Sequence, residues 1–77
     1  IMVQEKRPFE LLNSSLNKNV IIGLKAGMEF TGMMVSYDVH MNLVLNNAEQ
    51  LVGGDVKRKL GTVLVRGDSV VYISPAQ

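Results

Sequence analysis

Two short polar clusters are the parts of this sequence equipped to do chemistry. Asp38-Val39-His40-Met41-Asn42 places a carboxylate, an imidazole and an amide within five residues, and Arg66-Gly67-Asp68 places a guanidinium and a carboxylate around a glycine. Neither is a catalytic set. Covalent catalysis needs a nucleophile beside an oriented base, but the chain has no Cys, and no motif gives its single His a partner. A phosphate loop needs Lys-Ser/Thr after its glycines; Gly53-Gly54 is followed by Asp55 and reads as a plain turn. Without Cys, disulfides and thiolate metal sites are excluded, and one His is too few for a typical zinc site. No enzyme, cofactor or metal is expected.

Taken singly, the polar residues have ordinary readings. His40 is a surface turn residue, Asn42 a turn residue bonding its own backbone, and Arg66-Gly67-Asp68 a tight turn. What singles them out is their place. Both clusters fall between strands, where side chains from different hairpins converge.

The elements that must position them follow from periodicity. Pro8 to Leu16 reads as a short helix: Pro suits the first turn, and Phe9, Leu12 and Leu16 form one apolar stripe. After Asn17-Lys18-Asn19 the pattern turns to β-structure. Strands are predicted at Val20–Leu24, Met28–Asp38, Met41–Asn47, Lys57–Arg66 and Ser69–Ser74, with turns at Lys25-Ala26-Gly27, Gly53-Gly54-Asp55 and Arg66-Gly67-Asp68 and a stop at Pro75. The second strand carries its large residues in two phases, Phe30 and Met34 against Val35 and Tyr37, and a switch near Gly32 implies a sharp bend. The expectation is a mostly β single domain over residues 1–77. Its helix (8–16) precedes a strongly bent five-stranded antiparallel sheet (20–75), a small SH3-like barrel.

A chain of 77 residues buries only about 60% of its unfolded surface and is marginal alone. Yet its first and fifth strands are apolar at nearly every position, as strands covered on both faces are. Exposed, they invite aggregation; paired edge to edge with another copy they are covered, and a head-to-tail contact that closes gives a ring. Eight Lys and Arg against seven Asp and Glu argue against a nucleic-acid binder that relies on a broad basic surface, while leaving room for small base-reading pockets. No apolar run reaches the roughly 20 residues of a membrane helix and no signal peptide is visible, so a soluble cytoplasmic protein is expected.

Two longer stretches carry a family resemblance. Tyr37-Asp38-Val39-His40-Met41-Asn42-Leu43-Val44-Leu45-Asn46-Asn47-Ala48 resembles the first signature of the Sm/Sm-like (LSm) family, and the run from Leu60-Gly61-Thr62 through Arg66-Gly67-Asp68 to Ser74-Pro75 resembles the second. With Phe30-Thr31-Gly32 upstream, the likeness covers nearly the whole chain and is nearest to compact archaeal members. Departures are small: Ser69 stands where Asn is common, Met28 where a basic residue is common, and Ala26 where Gly, Asp or Asn is usual.

The resemblance implies the Sm fold, a homo-oligomeric ring of seven, and binding of uridine-rich single-stranded RNA at the pore in RNA processing or ribonucleoprotein assembly. It implies RNA-binding residues His40, Asn42, Arg66, Gly67 and Asp68. His40 and Arg66 sandwich a base, Asn42 reads its edge, Asp68 fixes the Asn42 amide, and Gly67 brings backbone close. The rival is a protein-interaction module using its edge strands for partner peptides. An uncharacterised hydrolase, lacking any nucleophile-base pair, comes last. Lys57-Arg58-Lys59 reads as a solvated strand end, and Tyr37 and Tyr72 as packing residues.

Overall fold

The computed structural model describes residues 7–76. Helix α1 spans Pro8–Ser14. Strands β1 (Lys18–Leu24), β2 (Glu29–Tyr37), β3 (Leu43–Val52), β4 (Asp55–Val65) and β5 (Val70–Pro75) form one antiparallel sheet in the order β4-β3-β2-β1-β5. The expected architecture is present.

The helix stops earlier than its apolar stripe implies. The hydroxyls of Ser14 and Ser15 both donate to the Leu11 carbonyl, at 2.9 and 2.8 Å, competing with the backbone ladder. Asn17 then takes φ 62° and donates its N–H to the Met34 carbonyl at 2.7 Å, turning the chain onto β2. Of the stripe, Leu12 is buried and Leu16 packs against the core. Phe9 is 52% exposed and stacks on Tyr37, ring centroids 6.3 Å apart.

Bulges bend the sheet. The pairing of β2 with β3 slips between Thr31 and Met33 and again between Met34 and Ser36. The second slip leaves Val35 as an extra residue, so the phase switch falls there and not at Gly32. Met34 opposite Leu45 and Tyr37 opposite Leu43 consequently face the same core, against the expectation that they face apart. Gly32 serves close approach instead: a Cβ there would meet the Ala48 Cα and the Asn46 carbonyl oxygen, each at 3.1 Å.

The β3–β4 hairpin is longer than predicted. Asn47, which looks like a strand end, has φ 52° and lies where β3 slips against both neighbours, and the strand runs on to Val52. Asp55 pairs with Val52, so the loop is only Gly53-Gly54, with φ 59° and 87°, the paired left-handed residues of a type I′ turn.

Val20, Ile22, Met34, Leu43, Leu45, Ala48, Val65 and Leu12 make the core. As expected, β1 is largely covered, with Val20 and Ile22 buried. Strand β5 is not covered within one chain: Val71 is 64% and Tyr72 44% exposed. Beside it an apolar groove of about 260 Å³, lined by Leu11, Leu12, Val70, Val71 and Ile73 among others, opens between α1 and β5. At the other edge, β4 exposes Leu64. Among the described residues no helix is long and apolar enough to cross a membrane.

Candidate functional site

Leu43 at the start of β3 pairs with Val65 at the end of β4. That one pair brings the loop before β3 against the loop after β4, so both polar clusters meet at one end of the sheet.

The first loop is organised by Asp38. Its Oδ1 accepts the backbone N–H groups of His40 (2.9 Å) and Asn42 (3.1 Å), while its Oδ2 accepts from Asn42 Nδ2 at 3.0 Å. The Asp38 N–H donates to the Asn42 carbonyl at 3.2 Å, and Met41 takes φ 65° to close the turn. The second loop is a short 3-10 turn, Gly67–Ser69, in which the Ser69 N–H donates to the Arg66 carbonyl at 3.0 Å.

The loops are joined by Gly67. Its N–H donates to Asn42 Oδ1 at 2.8 Å, and its α-carbon lies so close to the first loop that a Cβ would stand 1.8 Å from the His40 carbonyl oxygen. No other residue fits.

These contacts fix the Asn42 amide. An ionised carboxylate only accepts and a backbone N–H only donates, so flipping the amide would break its bonds to Asp38 and Gly67 together. What remains on Asn42 is one N–H and one carbonyl lone pair with defined directions. His40 on the first loop and Arg66 at the start of the second are exposed flat groups. The Arg66 guanidinium pairs with Asp68 at 3.0 Å, with side chains 76% and 63% exposed. At that exposure the pair contributes little to stability but orients the guanidinium plane.

The five residues expected at a site therefore do lie on two adjoining loops, with one change of role. Asp68 does not hold Asn42; it holds Arg66, and Asp38 holds Asn42. The signal for Asp38 lies in its place at the head of the turn, where an Asp side chain bonds the backbone two residues on, here the His40 N–H. Among the described residues, no three metal-ligating side chains come together.

Bonding to the Asn42 side chain, then to the backbone N–H groups of Asn42 and His40, holds the Asp38 carboxyl below its usual range. A carboxylate depressed on folding stabilises the fold above its unfolded value, and that contribution is lost as pH falls through its folded value. The loop should thus keep its shape at mildly acidic pH and lose it only below pH 3.8. Amide resonances of His40 and Asn42 followed in an acid titration should move together in that range; movement of the pair at pH 5–6 would contradict this.

Residues 10–75 match the LSM domain family. An Sm-like protein of Methanococcoides burtonii is 55% identical over 69 residues, which cover 90% of this chain and 96% of that one. Another, from Archaeoglobus fulgidus, is 54% identical over 70 residues, 91% of each chain. The solved structure of the Pyrococcus abyssi Sm protein in complex with a uridine heptamer superposes with a TM-score of 0.88 at 42% identity, covering 92% of this chain and all of that one. A heptameric archaeal Sm protein superposes at 0.82 with 40% identity, covering 87% of this chain and 97% of that one. With the fold, both signature loops and nearly the whole length in agreement, the chain belongs to the LSM (Sm-like) family.

Proposed function

We propose that this protein forms a homo-oligomeric ring of seven chains that binds uridine-rich single-stranded RNA around its pore, through His40, Asn42, Arg66, Gly67 and Asp68. It is a binding protein, not an enzyme. RNA processing or ribonucleoprotein assembly in the cytoplasm is the corresponding role. The observation that carries the reading is the fixed Asn42 amide. Uracil offers an N3–H donor beside an O4 acceptor; cytosine offers the reverse. The free lone pair of Asn42 accepts from N3–H while its free N–H donates to O4. His40 and Arg66 supply the two flat faces between which an unpaired base stacks, at roughly 1–3 kcal/mol per stacked base. Gly67 and Asp68 act behind them, Gly67 holding the Asn42 carbonyl and Asp68 the Arg66 plane. The uridine heptamer held by the Pyrococcus abyssi protein and the heptameric state of a second similar structure support both parts of the proposal.

Titration with oligouridine, oligocytidine and oligoadenine at matched salt tests it. Oligouridine should bind far more tightly than either of the others. Equal affinity for oligocytidine would refute uracil reading. Asp38→Asn supplies Asn42 with a partner that donates as well as accepts, so only the Gly67 N–H still opposes a flip, and uracil-over-cytosine selectivity should fall about tenfold, the worth of one exposed polar contact. Asp68→Asn should leave selectivity unchanged. The rival use of the sheet edges, addition of a partner peptide, requires them to be free, which a particle mass of one chain would show.

A further inference from the structure

The β3–β4 hairpin extends well past the pocket, and its far part carries Lys57-Arg58-Lys59. Three of the eight Lys and Arg of the chain thus stand side by side. All three are exposed, and among the described residues none of them joins an ion pair. Glu49 opposite Lys59 and Asp55 at the turn leave this end of the hairpin net positive. The pairing of β4 slips between Gln50 and Leu51, which leaves Lys57 unopposed; such a bulge re-aims side chains that strict alternation would send to opposite faces.

We infer that this basic end of the hairpin binds the phosphate backbone of RNA flanking the uridine tract, a contact separate from the pocket and indifferent to sequence. The inference rests on the RNA reading above. Two features select backbone over base. No aromatic residue lies between Asn47 and Leu60, so Arg58 has no ring facing it with which to sandwich a base. Ammonium and guanidinium groups without a carboxylate partner are what phosphate contacts are made from. Distance makes the contact an additional one. Lys59 is six residues along β4 from Val65, roughly 20 Å at strand rise, so RNA confined to the pocket does not reach it and RNA running outward does. The strands that hold Asn42 and Arg66 at one end hold the cations at the other, with the spacing fixed by one ladder.

The test compares heptauridine, heptauridine extended by ten adenosines at its 5′ or its 3′ end, and decaadenosine alone, each bound to the wild-type ring and to Lys57→Gln/Arg58→Gln/Lys59→Gln at 50 and 200 mM salt. Particle mass checks that the variant assembles. One of the two tails should tighten wild-type binding with a steeper salt dependence. Three cations at about 0.7 each in the log–log slope for single strands give roughly a 20-fold larger loss between those salt concentrations. The variant should bind heptauridine as the wild type does and lose the gain from the tail. A gain that survives in the variant, or wild-type rings that gain from neither tail, overturns the inference. Failure of the wild type to bind heptauridine strikes the pocket reading instead, and decaadenosine binding that the variant loses would still bear this inference out. If the triple variant does not assemble, Arg58→Gln alone should lower the slope by about 0.7, and an unchanged slope overturns the inference.

Discussion

Gly67→Ala should abolish tight oligouridine binding while leaving the ring assembled. The added Cβ would lie 1.8 Å from the His40 carbonyl oxygen and 2.8 Å from the Met41 carbonyl carbon. Both are backbone atoms, so no side-chain rotation relieves the overlap and the two loops must part. Parting them breaks the 2.8 Å bond from Gly67 N–H to Asn42 Oδ1, which frees the amide to turn and shifts Arg66 relative to His40. Each chain would lose its site, and repetition multiplies the loss, because every filled pocket makes the next contact effectively intramolecular. We expect at least a 100-fold weaker apparent affinity and about 1–3 kcal/mol of lost stability, the usual cost of overpacking. Titration and a thermal melt of the same preparation measure both. Wild-type affinity in this variant would mean that the loops do not approach as described.

The second large effect concerns the sheet edges. Val71 on β5 is 64% exposed and Leu64 on β4 is 68% exposed, and each apolar side chain gains about 1.5–3 kcal/mol when a neighbouring copy buries it. Either Val71→Asp or Leu64→Asp would bury an unpaired carboxylate in that contact, a penalty of several kcal/mol. Light scattering should show the wild type at about 60 kDa, seven chains of 8.5 kDa, and each variant as a single chain. Wild-type unfolding should shift with protein concentration, as it does when assembly supplies stability, and the variants should melt lower with no such shift. If both retain the wild-type mass, the copies join elsewhere.

Periodicity and turn chemistry made much of this fold legible. The helix start at Pro8, five strands, the bend and the two loops that carry the candidate site all follow from residue type and spacing. Other features needed three dimensions. Alternation shows that β2 changes phase but not which residue is extra, because a bulge is defined by what lies opposite. Asn47 looks like a strand end, since a left-handed residue in mid-strand makes sense only when both neighbours slip at the same place. The partner of Asn42 is not legible in the sequence, because the resemblance points to Asp68 and only the loop geometry brings Asp38 to the amide instead. The need for glycine at position 67 was equally hidden. Within a turn it looks like ordinary punctuation, and the atoms that exclude a side chain belong to the other loop.

The two edges of the sheet are different strands, β4 and β5, lying at opposite ends of the order β4-β3-β2-β1-β5. In the proposed ring, where β4-to-β5 contacts close on themselves, one rotation relates each copy to the next, so every copy presents its two site loops in the same sense around the circle. A nucleic-acid strand also has a sense, from 5′ to 3′. A ring of that kind would take up an RNA strand in one direction of travel, unlike the two-fold dimers that read palindromes. That polarity resides in strand order and in no single side chain, so substitutions within the pocket can change which base is read but cannot reverse the direction of reading.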